Sequence, residues 1–340
     1  MEGVSVIICC YNSASRLEPT LSALAAQQFR CPIPWEVLLV DNASTDHTAD
    51  VARVVWADLH ATAPLRIVRE TRPGQMHARE KGIAEAAYPI LLFCDDDNWL
   101  CANYVQGMFD VLAGDRVTAA CGGRGIAAFE GEKPGWFDDY AEAFATGPQD
   151  LTMEEGRLLS LYGAGLAIRK EALDELYRSG FRPLVGSGRT GNKLGSADDI
   201  ELTYALVLKG YRLAYRGDLT FIHYLPTGRL TRKYLTRLFT AFGQDGPVRN
   251  LYYAHLTPRR GHQRLTNWYL HLGLSLVRIG KYLFIPPKRG GRALYLRWNI
   301  AYLASLLNLK KTYRDLSNHI GRLREPARKP ALIQTTMSRS

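Results

Sequence analysis

An α/β fold built on a mostly parallel sheet, with helices on both faces, is predicted by three features of the 340-residue sequence. Apolar runs of strand length alternate with segments whose apolar residues recur at helical spacing, the links between them are short, and polar residues directly follow the runs. Such alternation implies right-handed crossovers, and sheets of this kind hold ligands beyond the carboxyl ends of their strands.

Val4 to Cys10 is a continuous apolar run, and Leu17, Leu21, Leu24 and Ala25 follow at helical spacing. The pattern recurs: Trp35 to Val40 precedes a helix from Thr45 to Leu59, Leu65 to Arg69 one from Gln75 to Ala87, and Ile90 to Cys94 one from Leu100 to Leu112. Val117 to Cys121 makes a fifth strand. From Gly122 to Gly156, Gly, Pro, aromatic and acidic residues displace the pattern, so a long loop is expected. Ala164 to Ile168 reads as a strand and Lys170 to Ser179 as a helix. Gly186 to Gly195, with four glycines, reads as a mobile loop before a helix from Asp198 to Leu208. Short strands near Leu213 and from Thr220 to His223 close the unit.

Composition is that of a globular chain, 46% hydrophobic and 22% charged, which excludes disordered, collagenous and coiled-coil classes. The net charge of +10 hides an asymmetry. Up to Asp199 there are 18 Lys+Arg against 28 Asp+Glu, and from Ile200 onward 25 against 5. A basic back half of this kind suits an anionic membrane or nucleic acid. Beyond about Arg229 the chain is helical and rich in Leu, Tyr and Trp. In Trp268 to Ile285, His271, Ser275, Arg278 and Lys281 share one face while leucines cover the rest, and Leu294 to Leu309 behaves similarly around Arg297. These read as interfacial helices on a bilayer, or else as amphipathic helices packed on the α/β unit or a second subunit. The six cysteines form no C-x-x-C pair and read as buried free thiols in a reducing compartment. With no basic segment or cleavage site before Val4, a cytoplasmic location is expected.

Asp95-Asp96-Asp97 after Ile90 to Cys94 carries the strongest chemical signal. Three adjacent carboxylates at a buried strand end repel one another unless a cation or donor-rich ligand offsets them, and hard oxygen ligands suit Mg²⁺ or Mn²⁺ shared with substrate phosphates. The alternative is a charge cluster capping the next helix. Asp41-Asn42-Ala43-Ser44-Thr45-Asp46 also follows a strand; Ser44 or Thr45 can cap the helix, while Asp41 stands where a carboxylate can accept hydrogen bonds from a nucleobase or ribose.

With Val-Ser-Val-Ile-Ile before Tyr11-Asn12, Ala78-Arg79, Gly163-Ala164-Gly165, Asp198-Asp199-Ile200-Glu201-Leu202, Gly210-Tyr211-Arg212 and His223 with Arg229-Leu230, these motifs resemble family 2 glycosyltransferases of the GT-A fold over roughly residues 4–234. The resemblance implies a domain over 1–228, with a nucleotide-binding half to about 123 and an acceptor half from about 124, followed by a basic helical region over 229–340. It also implies inverting transfer of a sugar from a nucleotide-diphosphate sugar, with uridine the first guess for the base. Tyr11 and Asp41 would contact the base, Arg79 the base or diphosphate, and Asp96 the ribose. Asp95 and Asp97 form the D-x-D, Asp97 as metal ligand, and His223 matches a late histidine that completes the metal site in part of the class; a capped strand-end histidine is the alternative.

Asp199 matches the general base, which must take the proton of an acceptor hydroxyl. Asp198 stands where the family has Glu and is expected on the acceptor side; Glu80 replaces an Asn beside Arg79 and should turn away from diphosphate. Trp136 is either an acceptor-stacking platform or a core anchor, and Arg189 in the glycine loop is a candidate lid contact to diphosphate. The acceptor expected is a saccharide or lipid-linked saccharide at an anionic membrane surface, with nucleic acid excluded because the aromatics lie among leucines at helical spacing. No Gly-x-Gly-x-x-Gly follows the first strand, which argues against an NAD enzyme. The rivals are a nucleotidyltransferase and a non-catalytic nucleotide-binding membrane scaffold.

Overall fold

Along β1 (Val4–Cys10) successive side chains serve two different cores: Val4, Val6, Ile8 and Cys10 face one and Ile7 the other. The same division runs through β2 (Trp35–Asn42), where Val37 and Leu39 oppose Leu38 and Val40. It continues in β4 (Ile90–Asp95), where Ile90, Leu92 and Cys94 oppose Leu91 and Phe93. A strand buried on both faces needs apolar residues at every position, which is why these segments are continuous runs rather than alternating ones.

The computed structural model describes residues 2–149, 153–154, 157–185, 198–257, 262–284 and 291–324. The first half adds α1 (Leu17–Ala25), α2 (Thr48–Asp58), β3 (Leu65–Glu70), α3 (Gln75–Glu85), β5 (Asn98–Leu100), α4 (Tyr104–Gly114) and β6 (Thr118–Phe129). The second contains β7 (Met153–Glu154), β8 (Arg157–Leu158), β9 (Leu166–Arg169), α5 (Lys170–Arg178), α6 (Asp198–Leu208) and β10 (Arg212–Leu225). Then come α7 (Arg232–Leu256), α8 (Trp268–Phe284), α9 (Arg292–Asn308) and α10 (Tyr313–Arg322). The main sheet has eight strands in the order β3-β2-β1-β4-β9-β6-β10-β5, with β9 and β5 antiparallel to their neighbours. Side chains of α1 and α4 pack on one face; those of α3, α5, α6 and α7 pack on the other.

Three elements differ from the sequence expectation. The helix expected from Leu100 starts at Tyr104, because Asn98–Leu100 pairs with β10 as an edge strand. Asp95 to Asp97 are therefore separated from α4 by a strand and do not cap it. The loop expected from Gly122 begins only after Phe129: β6 runs on through Gly122, Gly123 and Gly125, whose added Cβ atoms would fall 2.9 Å from Gln149, 2.3 Å from Leu219 O and 2.2 Å from Ala145 O. Glycine there permits close packing of a strand rather than marking a turn. The two short strands near Leu213 and Thr220 are one strand, β10, with its register to β6 shifting between Arg216 and Thr220. None of the cysteines is disulfide-bonded; Cys10, Cys94 and Cys121 are buried, but Cys9 and Cys101 are half-buried and Cys31 is exposed.

The helices after residue 229 pack back on the α/β unit. Val248, Leu251, Tyr252 and Leu256 of α7, with Tyr302 and Leu306 of α9, are buried in the same core as Leu206 of α6 and Leu173 of α5. Among the described residues no helix is long and apolar enough to cross a membrane.

Candidate functional site

The loops after β1 and β2 are laced together at the carboxyl edge of the sheet. Cys10 lies opposite Asp41 in register. Asn12, with φ 49°, turns so that its Oδ1 accepts from Thr45 N at 2.8 Å and its own N donates to Ser44 Oγ at 3.1 Å. Ser44 and Thr45 thus serve this loop pairing, and at the start of α2 it is Asp46 whose Oδ1 accepts from Thr48 N at 3.0 Å. Tyr11, 56% exposed, projects beside them, and Asp41 Oδ1 accepts from Ser44 N at 3.2 Å. The loops that carry Tyr11 and Asp41 are therefore held side by side.

The acidic triplet divides its work. Asp96 is buried and accepts on Oδ2 from Ser13 Oγ and from Arg16 Nε and Nη2 at 3.0 and 2.7 Å. Burial and the charge of Asp97 push the Asp96 carboxyl up, and Arg16 opposes them. Asp97, also buried, accepts on Oδ1 from Asn98 Nδ2 at 3.1 Å and on Oδ2 from Arg229 Nη1 at 2.9 Å. Two arginines thus offset the triplet, so its electrostatics do not by themselves require a metal. Neither Arg16 nor Arg229 was given a role from sequence. The available signal was charge balance: three carboxylates at a strand end need cations, and these arginines follow β1 and β10 at the same edge.

His223 closes this corner. On β10 opposite Asn98, its Nδ1 bonds to Phe144 O at 2.7 Å, which makes Nδ1 the protonated nitrogen and leaves Nε2 as an acceptor 3.6 Å from Asp97 Oδ1. Burial pushes the imidazole below its ordinary pKa, against the pull of Asp97. A neutral imidazole with its second nitrogen on a backbone carbonyl, facing a carboxylate, is a donor set suited to Mn²⁺ or Mg²⁺. Among the described residues no three His, Cys, Asp or Glu side chains gather to hold a metal, so Asp97 and His223 would form a two-residue site completed by substrate oxygens.

On the other side of β4, Phe93 pairs with Leu166, which brings Gly163 to Gly165 past the end of β4 beside Asp95. Gly163 N donates to Asp199 Oδ2 at 2.6 Å, and a Cβ on Gly163 would lie 2.9 Å from Arg79 Nη2. Arg79, over the Phe93 ring at 5.6 Å, donates to Asp198 Oδ2 at 2.5 Å. Burial alone would lower the pKa of Arg79, but Asp198, Asp95 and Asp199 outweigh it. Asp199 sits over a narrow apolar cleft lined by Phe93, Leu166, Tyr177, Phe181 and Leu202. Desolvation there, with the charge of Asp198, pushes the Asp199 carboxyl up to about 6, and Arg79 restrains the rise. Glu80 lies 3.6 Å from His77 and lines the same cleft as Asp198 and Asp199.

A family model described as Glycosyl transferase family 2 matches residues 5–177, just over half of the chain. The chain belongs to that family. Glycosyltransferase AglE of Haloferax volcanii is 25% identical over 235 residues, 68% of this chain and 70% of that protein. The poly-beta-1,6-N-acetyl-D-glucosamine synthase of Staphylococcus aureus is 21% identical over 217 residues, 63% of this chain but only 48% of that protein. Among solved structures, the mannosyltransferase PcManGT of Pyrobaculum calidifontis, in complex with GDP-Man and Mn²⁺, superposes with a TM-score of 0.51 at 19% identity, covering 94% of this chain and 85% of that one. This glycosyltransferase therefore has the GT-A fold.

In this family 2 enzyme Trp136 is half-buried, its ring 6.4 Å from Phe137, 6.3 Å from Tyr140 and 6.2 Å from Phe144, with the Arg232 guanidinium 5.3 Å from its centroid. It anchors the 3-10 helix Phe137–Phe144 to α7. Arg189 lies outside the described residues.

Proposed function

We propose that the enzyme transfers a sugar, with inversion, from a nucleotide-diphosphate donor to a hydroxyl of a saccharide or lipid-linked saccharide. The observation that carries this reading is the Asp199 carboxyl, pushed up to about 6 and fixed by Gly163 N beside the end of β4. A base with a pKa just below neutral is ionised at working pH and still basic enough to accept a proton in the transition state. The acceptor hydroxyl gives its proton to Asp199 as its oxygen bonds to the anomeric carbon from one face. The bond to the diphosphate oxygen breaks on the other, and the nucleoside diphosphate leaves.

Tyr11 and Asp41 bind the base, with a UDP-sugar the first donor to try, and Asp95 and Asp96 belong to the ribose and diphosphate side. Arg79, through Asp198, keeps the base helix aligned and adds positive charge near the diphosphate. Arg189 is assigned to the diphosphate, and Asp198 and Trp136 to the acceptor side, from sequence alone. Asp97 and His223 would hold a divalent ion, which would supply charge neutralisation to the leaving diphosphate.

The exposed face of α8 supports a site at an anionic membrane surface. His271 and Ser275 are buried, while Val277 is 72% and Phe284 83% exposed, so the helix turns its polar side inward and its apolar side out. Residues 229–340 hold 22 Lys+Arg against 3 Asp+Glu, the sign that anionic lipid attracts.

The test is thermal stability with UDP, GDP, dTDP and CMP, each with and without Mn²⁺, on the wild type and on Asp97→Ala. Ligand at about 100 times its Kd adds roughly 2.7 kcal/mol. The reading expects a metal-dependent rise with one nucleotide that Asp97→Ala loses. A flat response to every nucleotide counts against a donor site at this edge of the sheet.

A further inference from the structure

Asp97 is already paired with a cation that belongs to the protein. Arg229 Nη1 stands 2.9 Å from Asp97 Oδ2 and 3.3 Å from His223 Nε2, so one N–H group faces both side chains assigned to the metal. Arg229 reaches them from the 3-10 turn Thr227–Arg229, which is firmly built. Arg229 N donates to Pro226 O at 2.8 Å, and Thr227 N and Oγ1 donate to Glu130 Oε2 at 2.7 and 3.0 Å. The backbone is fixed, but the guanidinium sits at the mouth of the site: the Arg229 side chain is 24% exposed against 4% for Asp97.

We infer that Arg229 is a displaceable counter-ion of the metal site, competing with the divalent cation for Asp97 and His223 and yielding them when a diphosphate offers its guanidinium new partners. The inference rests on the reading of Asp97 and His223 as metal ligands. A guanidinium and a divalent cation cannot both sit against one carboxylate oxygen and one imidazole nitrogen without strong repulsion, because the site is buried and poorly screened. A diphosphate relieves that conflict. It brings anionic oxygens for the metal, and its geometry matches the forked N–H donors of an arginine. Metal and donor are thus loaded together, and when the nucleoside diphosphate departs, Arg229 returns to Asp97 and helps expel the ion. An arginine meets this need better than a lysine, since it stays charged throughout.

The experiment counts protein-bound Mn²⁺ by electron paramagnetic resonance on the full chain, first without nucleotide and then with UDP or GDP, subtracting a protein-free blank at each step. Wild type is compared with Arg229→Gln, Arg229→Met and Arg229→Lys, and Asp97→Asn reports the site itself. Without nucleotide, the two neutral variants bind Mn²⁺ at least tenfold more tightly than wild type, and Arg229→Lys stays near wild type. With nucleotide, wild type gains at least tenfold and the neutral variants gain less. A second readout follows stability: Mn²⁺ alone raises the Tm of Arg229→Gln or Arg229→Met more than that of wild type. If the neutral variants bind Mn²⁺ no more tightly than wild type, while wild type with nucleotide holds Mn²⁺ that Asp97→Asn loses, the counter-ion role is wrong and the metal site stands. If no variant shows Asp97-dependent Mn²⁺ under any condition, both fall.

Discussion

Arg79 Nη1 and Asp198 Oδ2 meet at 2.5 Å across 119 positions of sequence, and this bond joins the helix that follows β3 to the helix that carries Asp199. Both side chains are largely enclosed, at 15% and 13% exposure, so the pair is one whose loss leaves an uncompensated charge inside the protein. The neighbouring Asp199 feels both partners, raised by Asp198 and lowered by Arg79.

The pH dependence of turnover tests that arrangement. Asp199 acts as base only when ionised, so turnover rises with pH through about 6 and levels off above it. Asp198→Asn removes a raising charge and leaves Arg79 nearer to Asp199 alone, so the acid limb moves to lower pH. Arg79→Gln moves it to higher pH. Asp199→Asn lowers kcat by roughly 10² to 10⁴ while nucleotide binding persists. Acid limbs that coincide in all three active proteins would remove Asp199 from the role of base.

Gly163 must remain a glycine for a reason unrelated to turns. A Cβ there would lie 2.9 Å from Arg79 Nη2 and 3.2 Å from both Cβ and Oδ2 of Asp199. Gly163→Ala therefore pushes the base out of place. We expect a loss of about 1–3 kcal/mol in stability, as for overpacking elsewhere. Turnover should fall by more than that loss of folded protein explains. Measured side by side, kcat and the denaturant midpoint separate the two effects, and a variant with normal kcat would show that Asp199 tolerates the shift.

The strands and the acidic edge were legible in the sequence because burial on both faces forces continuous apolar runs, and polar residues after such runs stand out. Asp199 was legible through its motif. What was hidden depended on distant partners: Arg16 looks like an ordinary surface arginine, and Arg229, although part of a motif, shows nothing of its pairing until the sheet order brings the two to Asp96 and Asp97. β6 was hidden for the opposite reason, since Gly122, Gly123 and Gly125 read locally as breakers although Tyr104 and Phe221 close over the strand they form.

Glu201 links three elements and should make stability depend on pH. It is buried in α6 and accepts from Leu184 N at 2.9 Å, from Val185 N at 2.9 Å and from Tyr252 Oη on α7 at 3.0 Å. Burial nonetheless pushes its carboxyl up to about 7 from 4.5. A raised acid contributes stability that is complete below the unfolded pKa and is lost as pH rises through the folded one. The wild type therefore loses on the order of 3 kcal/mol between about pH 4.5 and 7 through this group. Glu201→Gln keeps an acceptor oxygen for Leu184 and Val185 and does not titrate. The difference in Tm between the two proteins should grow in favour of Gln as pH rises from 5 to 8. A difference that stays constant across that range would mean Glu201 is ionised in the folded state throughout.

The outer face of α8 makes the final prediction. Val277 and Phe284 are the two most exposed large apolar residues of the helix, and replacing each with Glu removes apolar surface and adds negative charge without touching the buried His271 and Ser275. Fully burying a side chain of this kind is worth about 1.5–3 kcal/mol, so the double variant should lose at least tenfold in affinity for vesicles containing anionic lipid. Its Tm should match that of wild type, and nucleotide binding should be unchanged. Truncation is a poorer test, because Tyr302 and Leu306 of α9 are part of the main core. Raising salt should weaken wild-type binding, since the basic surface acts over only about a Debye length. Vesicle binding that survives both substitutions would assign the apolar face of α8 to contact with another protein surface instead of lipid.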